Sequence, residues 1–399
     1  MTVLFIFCLI IFSRTCVDAA SRGLNLWLNV VFPSLFPFFI ASELLKGSNL
    51  FNAFGVLLEP LMYPLFKVPG SGALAFLMGT TSGYPVGAKI TSSLRKEKHL
   101  SKIQAERLIA FSNNSGPLFI AGAVATGMFN SPQLGPFLLA CHITASITVG
   151  IIFRFYGIKK NSYVPSRSKG RLLKKFSMEL SAAGNAKSAF GSLLGEAIRN
   201  SIMTILTIGG FIILFSVIIS ILLETGFITT TAAFLSFLLA PLGLSPEVLT
   251  SLISGFFEII TGIKMICSAS NVDLIQRLIS TSTIIGWAGL SVHFQVLSII
   301  RDTDINPAPY IVGKLIHGVI AGVYTFIGIL IAGPDILKSV PAFSQHNLSL
   351  ILDWQHSVMV SIKYFIFTAL FFIVAAAAAK IIDFLFGSRA VCSRKKNLF

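Results

Sequence analysis

Met78-Gly79-Thr80-Thr81-Ser82-Gly83-Tyr84-Pro85-Val86-Gly87-Ala88-Lys89 and Phe111-Ser112-Asn113-Asn114-Ser115-Gly116-Pro117-Leu118-Phe119 each continue an apolar stretch. Both stretches are apolar enough to lie in a membrane, yet small, polar and helix-breaking residues interrupt them. A bilayer offers no water to hydrogen-bond freed N–H and C=O groups, so interrupted backbone survives there only against protein or a water-filled cavity. The two interruptions therefore indicate a site inside a membrane protein.

The composition places the whole chain in the membrane class. Of its 399 residues 54% are hydrophobic and only 12% are charged, whereas soluble domains carry about 25% charged residues. This composition excludes a soluble globular protein. Successive apolar stretches that approach the roughly 20 residues needed to span a bilayer predict an all-α polytopic membrane protein embedded in lipid.

The positive charge of the chain is clustered rather than spread. Eighteen of the 31 Lys and Arg residues lie in three segments, six in 89–107, eight in 154–175 and four in 389–399. Cytoplasmic loops of membrane proteins show this bias, and no aromatic residues interleave with the basic ones as in a nucleic-acid groove. The net charge of +15 therefore predicts membrane topology and no nucleic-acid partner. The five cysteines form no CxxC pair, and no metal or cofactor is expected.

Placing the three basic segments in the cytoplasm predicts about twelve membrane segments, with both termini inside. Lys67 then falls on the outer side. The expected spans are 2–20, 24–45, 50–66, 70–88, 107–129, 132–153, 199–223, 229–244, 246–264, 277–300, 308–333 and 359–387. The first apolar stretch has a rival interpretation as a cleaved signal peptide, because it ends in Ala19-Ala20.

The two halves of the chain share an ordered series of motifs. Leu57-Leu58-Glu59-Pro60-Leu61 matches Leu238-Leu239-Ala240-Pro241-Leu242, and Arg107-Leu108-Ile109 matches Arg277-Leu278-Ile279. Five segments per unit is an odd number, so the second unit would enter the membrane from the opposite side. Inverted repeats with interrupted helices are typical of secondary transporters, whose sites lie near the midplane. The alternative is that the halves are alike through composition alone.

This interpretation divides the chain into five parts. They are an N-terminal transmembrane helix (1–23), a first repeat (24–157), a basic cytoplasmic linker (158–198), a second repeat (199–333), and a polar loop with the last helix and a basic tail (334–399).

In the first repeat, the interruptions supply groups that suit a small anion. The start of a helix carries about half a positive charge and binds anions through its free N–H groups. Hydroxyl and amide side chains add hydrogen bonds without a buried charge. The alternative is that these residues only pack and bridge helices. The candidate substrate-binding residues here are Ser82, Gly83, Tyr84, Pro85, Gly87, Asn113, Asn114, Ser115 and Gly116.

In the second repeat, Glu258 places a carboxylate inside an apolar span. Insertion of such a group costs about 3 kcal/mol, so an intramembrane acid indicates function. It could bind a coupling ion (Na⁺ or H⁺), and the alternative is a structural salt bridge to Lys264 or Arg107. The other candidates in this repeat, where Trp287 could stack on a flat ligand, are Thr261, Ser282, Gly286, Trp287, His293 and Gln295.

Nothing in the chain predicts catalysis. Gly83-Tyr84-Pro85-Val86-Gly87-Ala88-Lys89 lacks the spacing of a Walker A motif, which excludes an ATP-driven pump. No pair of acidic residues or histidines marks a candidate cytoplasmic loop, and an envelope-synthesis enzyme would need one. A non-transporting scaffold is a further alternative. We therefore predict a transporter that is not an enzyme, with no prediction of its oligomeric state.

Several of these motifs resemble those of a known family. Leu24-Asn25-Leu26-Trp27-Leu28-Asn29-Val30-Val31-Phe32-Pro33-Ser34-Leu35-Phe36-Pro37-Phe38-Phe39 resembles the opening of the YlbJ-type sporulation integral membrane proteins. Val68-Pro69-Gly70, Ser82 to Lys89 and Phe111 to Phe119 resemble later parts of the same family. These proteins carry a gate or "nucleoside recognition" domain, similar to the repeats of concentrative nucleoside transporters.

The resemblance implies a more definite function. It implies a transporter of the outer forespore membrane that moves dipicolinic acid out of the mother cell of an endospore-forming bacterium. This cargo is a flat pyridine dicarboxylate, which suits helix N-termini and an aromatic ring. A nucleoside-like solute is the alternative that the domain name suggests.

Overall fold

The computed structural model describes residues 2–47, 50–157, 190–238, 241 and 243–332, and every element in these ranges is helical. The helices are α1 (Thr2–Ile11), α2 (Ser13–Leu26), α3 (Phe32–Gly47), α4 (Leu50–Phe66), α5 (Ala73–Thr81), α6 (Val86–Lys96), α7 (Lys102–Ser112), α8 (Leu134–Phe153), α9 (Phe190–Glu224), α10 (Phe227–Leu238), α11 (Pro246–Phe257), α12 (Ile259–Ser268), α13 (Leu274–Trp287), α14 (Gly289–Ile300) and α15 (Ala308–Ala332). Two π-helical segments, Trp27–Val31 and Leu118–Met128, and a short 3₁₀ turn, Gly70–Gly72, complete the set.

The first part of the chain packs against α9 along its length. Helix continues from α2 through the π segment into α3, so no loop separates the two spans expected at 2–20 and 24–45. Gly23 lies against Ser216, the Trp27 indole donates to the Ile205 carbonyl (3.0 Å), and Asn200 donates to Glu43 (3.2 Å). Helix α9 begins at Phe190, inside the segment expected to be linker.

The segment 70–88, expected to cross the membrane as one span, instead folds back on itself. A Cβ added to Gly79 would lie 2.9 Å from the Cα of Gly87, although eight residues of straight helix would separate them by about 12 Å. Helices α5 and α6 therefore form a helical hairpin, which we call hairpin 1, with its tip at Ser82–Pro85. Glycine at both positions permits this close approach.

The segment 246–264 also turns back where one crossing was expected. A Cβ on Gly262 would overlap the Cα of Gly255, so α11 and α12 lie side by side as hairpin 2. Its tip is Glu258, whose extended backbone (φ −147°, ψ 124°) separates the two helices. Each hairpin helix has only nine to twelve residues, too few to span a bilayer alone.

Each hairpin is followed by a helix with an interruption in the middle. Helix α7 ends at Ser112, and the chain becomes helical again at Leu118, as the sequence predicts. Gly150 of α8 lies against Phe111 and Gly135 of the same helix lies against Ala121. Residues 102–128 therefore run antiparallel to α8 as one interrupted span.

The second interrupted span has a shorter break than the first. Helix α13 ends at Trp287, α14 begins at Gly289, and Ala288 between them has a left-handed backbone (φ 77°). Helix α15 packs closely on α13, where Gly286 approaches Gly318.

The described residues contain fewer spans than the twelve expected. Four helices are long and apolar enough to cross a membrane, and a pair bent by 92° (Leu58–Phe66 with Gly70–Thr81) would make a fifth. The four are Leu134–Phe153, Gly191–Glu224, Leu274–Ile300 and Ala308–Ile331. The hairpins account for part of the difference. The expected last span, the polar loop and tail in 334–399, and most of the linker lie outside the described residues.

Lys67 lies at a different end of the bundle from the one expected. Arg107 donates to the carbonyls of Lys67 (3.0 Å) and Tyr156 (2.8 Å from Nε), so these residues lie at the same end of the bundle. The expectation that Lys67 lies on the opposite side from 89–107 is therefore wrong. Because hairpin 1 does not cross the membrane, the end of α4 remains beside the basic segment.

Candidate functional site

A cavity of about 780 Å³ lies where the two hairpin tips and the two helix interruptions meet. Its walls come from both halves of the chain, and from Leu26, Val31 and Leu35 of the N-terminal helices. Of the residues predicted to bind substrate, seven line it: Ser82, Gly83, Tyr84, Ser115, Gly116, Glu258 and Gln295. Residues from both halves of the chain that the sequence singles out thus lie around one cavity.

Each hairpin tip packs directly against the interruption that follows it. In the first half, a Cβ on Gly83 would lie 3.1 Å from the Gly116 nitrogen. In the second half, a Cβ on Gly289 would lie 3.1 Å from the Ile259 nitrogen. Gly83 (φ +88°) and Gly289 (φ +81°) both have left-handed backbones, which favour glycine over other residues. Backbone therefore approaches backbone at both junctions.

Helix N-termini converge on this cavity. Leu118 and Phe119, which begin the second part of the first interrupted span, line it, and so do Ser291 and Val292 in the first turn of α14. Neither helix start has a side-chain cap. The Phe119 and Ile120 nitrogens already donate to the Gly116 carbonyl (3.1 Å each), so the partial positive charge of the two helix starts is what suits this wall to an anion.

Glu258 has a structural partner of its own. Its carboxylate is 2% exposed and accepts from the backbone nitrogens of Ile260 (3.0 Å) and Thr261 (2.7 Å) and from the Thr261 hydroxyl (2.9 Å). Glu258 therefore caps α12. The alternative ion pair with Lys264 or Arg107 is not formed among the described residues, since Arg107 binds backbone carbonyls at the end of the bundle.

Lys264 is the cationic side chain on the described cavity wall. It lies on α12, two turns beyond Glu258, and forms no ion pair with another described residue. A carboxylate in the cavity could therefore pair with it.

The two asparagines lie behind the cavity wall and not on it. Asn113 and Asn114 are fully buried. The Asn114 amide donates toward the Phe111 carbonyl (2.9 Å), Ser146 (3.0 Å) and Thr80 (3.2 Å). Asn114 thus ties the interruption to hairpin 1 and to α8.

The remaining predicted residues also lie outside the described cavity wall. The Trp287 ring stacks on Phe256 (5.2 Å between centroids) and not on the cavity, and His293 bonds to the Tyr310 hydroxyl (2.9 Å). The other members of this group pack within the helices: Pro85, Gly87, Thr261, Ser282 and Gly286.

A buried cluster that the sequence analysis missed lies next to the first interruption. Lys314 and His317 of α15 are fully buried, and His142 of α8 lies against them with its ring stacked on His317 at 4.5 Å. The Ser115 nitrogen donates to His142 Nε2 (3.1 Å), which joins the cluster to the cavity wall. Lys314 is a charge inside a predicted span, so the signal that identified Glu258 could have identified it. The described residues contain no metal-binding group of three His, Cys, Asp or Glu.

Comparison with known proteins shows the family of the chain. The family model named Gate, described as nucleoside recognition, matches residues 28–129 and 205–301. The sporulation integral membrane protein YlbJ of Bacillus subtilis (strain 168) is 41% identical over 314 residues, which cover 78% of this chain and 76% of the relative. The chain belongs to the YlbJ family of sporulation integral membrane proteins. The resemblance found in the sequence is thereby confirmed. No solved structure matches the chain.

Proposed function

We propose that this member of the YlbJ family carries a small organic anion across a membrane by alternating access through the described cavity. The observation that carries the proposal is the meeting of two hairpin tips and two helix interruptions around one cavity. Interrupted helices whose starts face a midplane site are the usual way that transporters hold charged solutes.

The charges around the cavity favour an anion. Two uncapped helix starts face it, and each carries about half a positive charge. Lys264 adds a full positive charge, while the Glu258 carboxylate already accepts three hydrogen bonds from its own hairpin. A solute carboxylate would therefore be held by the partial positive charge of the two helix starts and by Lys264.

The cavity also suits a flat ring. Tyr84, Phe119 and Ile259 supply apolar wall between the polar groups, and the volume exceeds that of a single aromatic ring with two carboxylates. Dipicolinic acid has this form, and the kinship with sporulation proteins supports a sporulation solute. We propose export of dipicolinic acid from the mother cell across the outer forespore membrane, with both termini in the cytoplasm.

Alternating access would follow from two inverted repeats. In support, the open end of hairpin 1 lies beside Lys67 and Arg107. Hairpin 2 lies next to the start of α13, and the span 274–300 ends near Asp304, which binds Arg95 of hairpin 1. The two hairpins would thus enter from opposite membrane faces. Sodium ions and protons are both candidates for the coupling ion.

The experiment that tests this proposal is uptake of labelled dipicolinate into proteoliposomes containing only this protein. We expect saturable uptake, competed by unlabelled dipicolinate more strongly than by picolinate, which has one carboxylate fewer. Lys264→Ala should raise the half-saturating concentration about tenfold, because the variant loses one favourable charged contact with the solute. No uptake above protein-free liposomes would contradict transport and favour a scaffold or an envelope-synthesis role.

A nucleoside-like solute is a second candidate. The Gate family model is described as nucleoside recognition, and the Gln295 amide on the cavity wall could pair with a base edge. Uridine in the same liposomes decides between the two solutes. Uridine uptake that dipicolinate does not inhibit would favour the nucleoside.

A further inference from the structure

The ammonium group of Lys314 is buried without an acidic partner. Lys314 has no exposed surface, and no carboxylate of the described residues lies within ion-pair distance of it. An isolated buried charge is strongly unfavourable unless other groups replace the lost water. The neighbours of Lys314 therefore have to be suited to a cation.

Three neutral neighbours fit this requirement. The Lys314 Nζ lies 3.1 Å from the Asn113 carbonyl oxygen and 3.1 Å from His317 Nδ1. It also lies 5.2 Å from the centre of the Tyr84 ring, whose face attracts cations. The ammonium group therefore contacts a carbonyl oxygen, an imidazole nitrogen and the face of an aromatic ring.

The hydrogen bonds define which nitrogen of His317 accepts. His317 Nε2 lies 3.0 Å from the His142 carbonyl, and a carbonyl can only accept, so the proton of His317 is on Nε2. Nδ1 then carries a lone pair directed at Lys314. With the Lys314 ammonium group as the donor, Nδ1 accepts and His317 is a neutral imidazole, so it is not a second cation beside the lysine.

The backbone adds further negative potential at this point. Helix α7 ends at Ser112, one residue before the carbonyl that binds Lys314, and the end of a helix carries about half a negative charge. Gly313 packs against the Ala110 carbonyl, which brings α15 close enough for Lys314 to reach the helix end. In addition, the Asn113 and Asn114 side-chain oxygens are buried there without a donor.

We propose that Lys314 is a tethered cation. Its ammonium group occupies the site formed at the first interruption by the Asn113 carbonyl, His317 Nδ1 and the Tyr84 ring, and supplies the positive charge that a free monovalent cation would otherwise provide. The protein consequently needs no sodium or potassium ion at this position. The inference concerns the first interruption alone and holds whichever solute enters the cavity.

Thermal unfolding of the purified full-length protein in detergent tests this inference. The protein is compared in sodium, ammonium, methylammonium and N-methylglucammonium chlorides at one ionic strength. The response of the wild type to the four salts is the reference, since a coupling ion bound elsewhere would raise the unfolding temperature of the wild type and the variants alike. Lys314→Ala should unfold at a lower temperature in N-methylglucammonium, and small cations should raise that temperature saturably by about 5 °C.

Two further variants separate charge from other effects. Lys264→Ala also removes one lysine and should respond to small cations no more than the wild type does. Lys314→Gln keeps a hydrogen-bond donor without the charge, on a side chain one bond shorter, so it should be less stable than the wild type and should respond to the choice of salt no more than the wild type does.

Two results would overturn the inference. They are a response of Lys314→Ala to small cations that is no larger than the response of the wild type, and a Lys314→Gln variant as stable as the wild type. Should Lys314→Ala fail to fold, the wild type and Lys314→Gln still decide the question.

Discussion

The two halves of the cavity use the same backbone plan with different side chains. The tip of hairpin 1 is neutral, and α6 begins after Pro85 without a side-chain cap. The tip of hairpin 2 carries Glu258, which caps α12 with its carboxylate. The two tips therefore share a backbone junction and differ in side-chain chemistry, the first without a carboxylate and the second with one.

The interruptions differ in the same way. The first extends over residues 113–117 and is held by the side chain of Asn114. The second consists of Ala288 alone, with the backbone of Gly289 against hairpin 2. A long break needs side-chain hydrogen bonds to satisfy its backbone, whereas a break of one residue leaves few groups unpaired.

Removal of Asn114 should have the largest effect on stability. Asn114→Ala removes the donor that joins the first interruption to Phe111 and Ser146, and it should lower the free energy of unfolding by about 2–3 kcal/mol. Asn113→Ala is the matched comparison, because its amide makes only one long bond (3.4 Å) to Tyr310. Equal losses in both variants, measured by denaturant unfolding in detergent, would contradict the distinction between the two asparagines.

Substitution at the two backbone junctions should have the next largest effect. Gly83→Ala and Gly289→Ala each place a methyl group at a left-handed residue about 3 Å from facing backbone, so each should lose about 1–2 kcal/mol of stability. Gly122→Ala is the control, since nothing lies within 4 Å of its added Cβ. Similar losses of stability in the two junction variants would support equivalent roles for the two backbone junctions. A loss in only one variant would contradict that equivalence.

The cap on hairpin 2 should matter less for stability than for transport. Glu258→Gln leaves one acceptor oxygen where two now bind α12, and it should cost about 1 kcal/mol of stability. Dipicolinate uptake should fall by at least about tenfold if the charged cap positions the cavity wall. Thr261→Val, which removes only the hydroxyl contact, should retain most of the uptake. Normal uptake by Glu258→Gln would exclude a role for the charge.

The smallest expected effect concerns a surface contact between the halves. Arg95 of hairpin 1 binds both carboxylate oxygens of Asp304 (2.7 and 2.9 Å), and this guanidinium holds the pKa of Asp304 below its ordinary value. The contact therefore stabilises the protein above the ordinary pKa of aspartate, and the contribution is lost as the pH falls through the lowered value.

Asp304→Asn should accordingly be slightly less stable than the wild type at neutral pH, by less than about 1 kcal/mol for an exposed pair. The difference should vanish in acid. Unfolding temperatures of the two proteins across this range measure it, and a difference that grows toward low pH would contradict the assignment.

The sequence by itself determined the class of the protein and the places where its helices break. The low charge content and the clustered lysines and arginines identify a membrane protein. The polar residues at 82–85 and 113–117 mark the helix breaks, because a bilayer tolerates unpaired backbone only where protein or water can satisfy it. They also placed seven of the predicted residues on the cavity wall. The acid at 258 was identified, although its role as a helix cap was not.

Only the tertiary structure decided the direction of the chain and the positions of the buried partners. An apolar stretch of about 20 residues has the same hydropathy whether it crosses the membrane once or folds back at its middle. Hydropathy therefore does not show the direction of the chain. The contacts of Gly79 with Gly87 and of Gly255 with Gly262 show that both segments fold back. The surroundings of Lys314 likewise come from hairpin 1, the first interruption, α8 and α15, which are distant in sequence and meet only in the folded bundle.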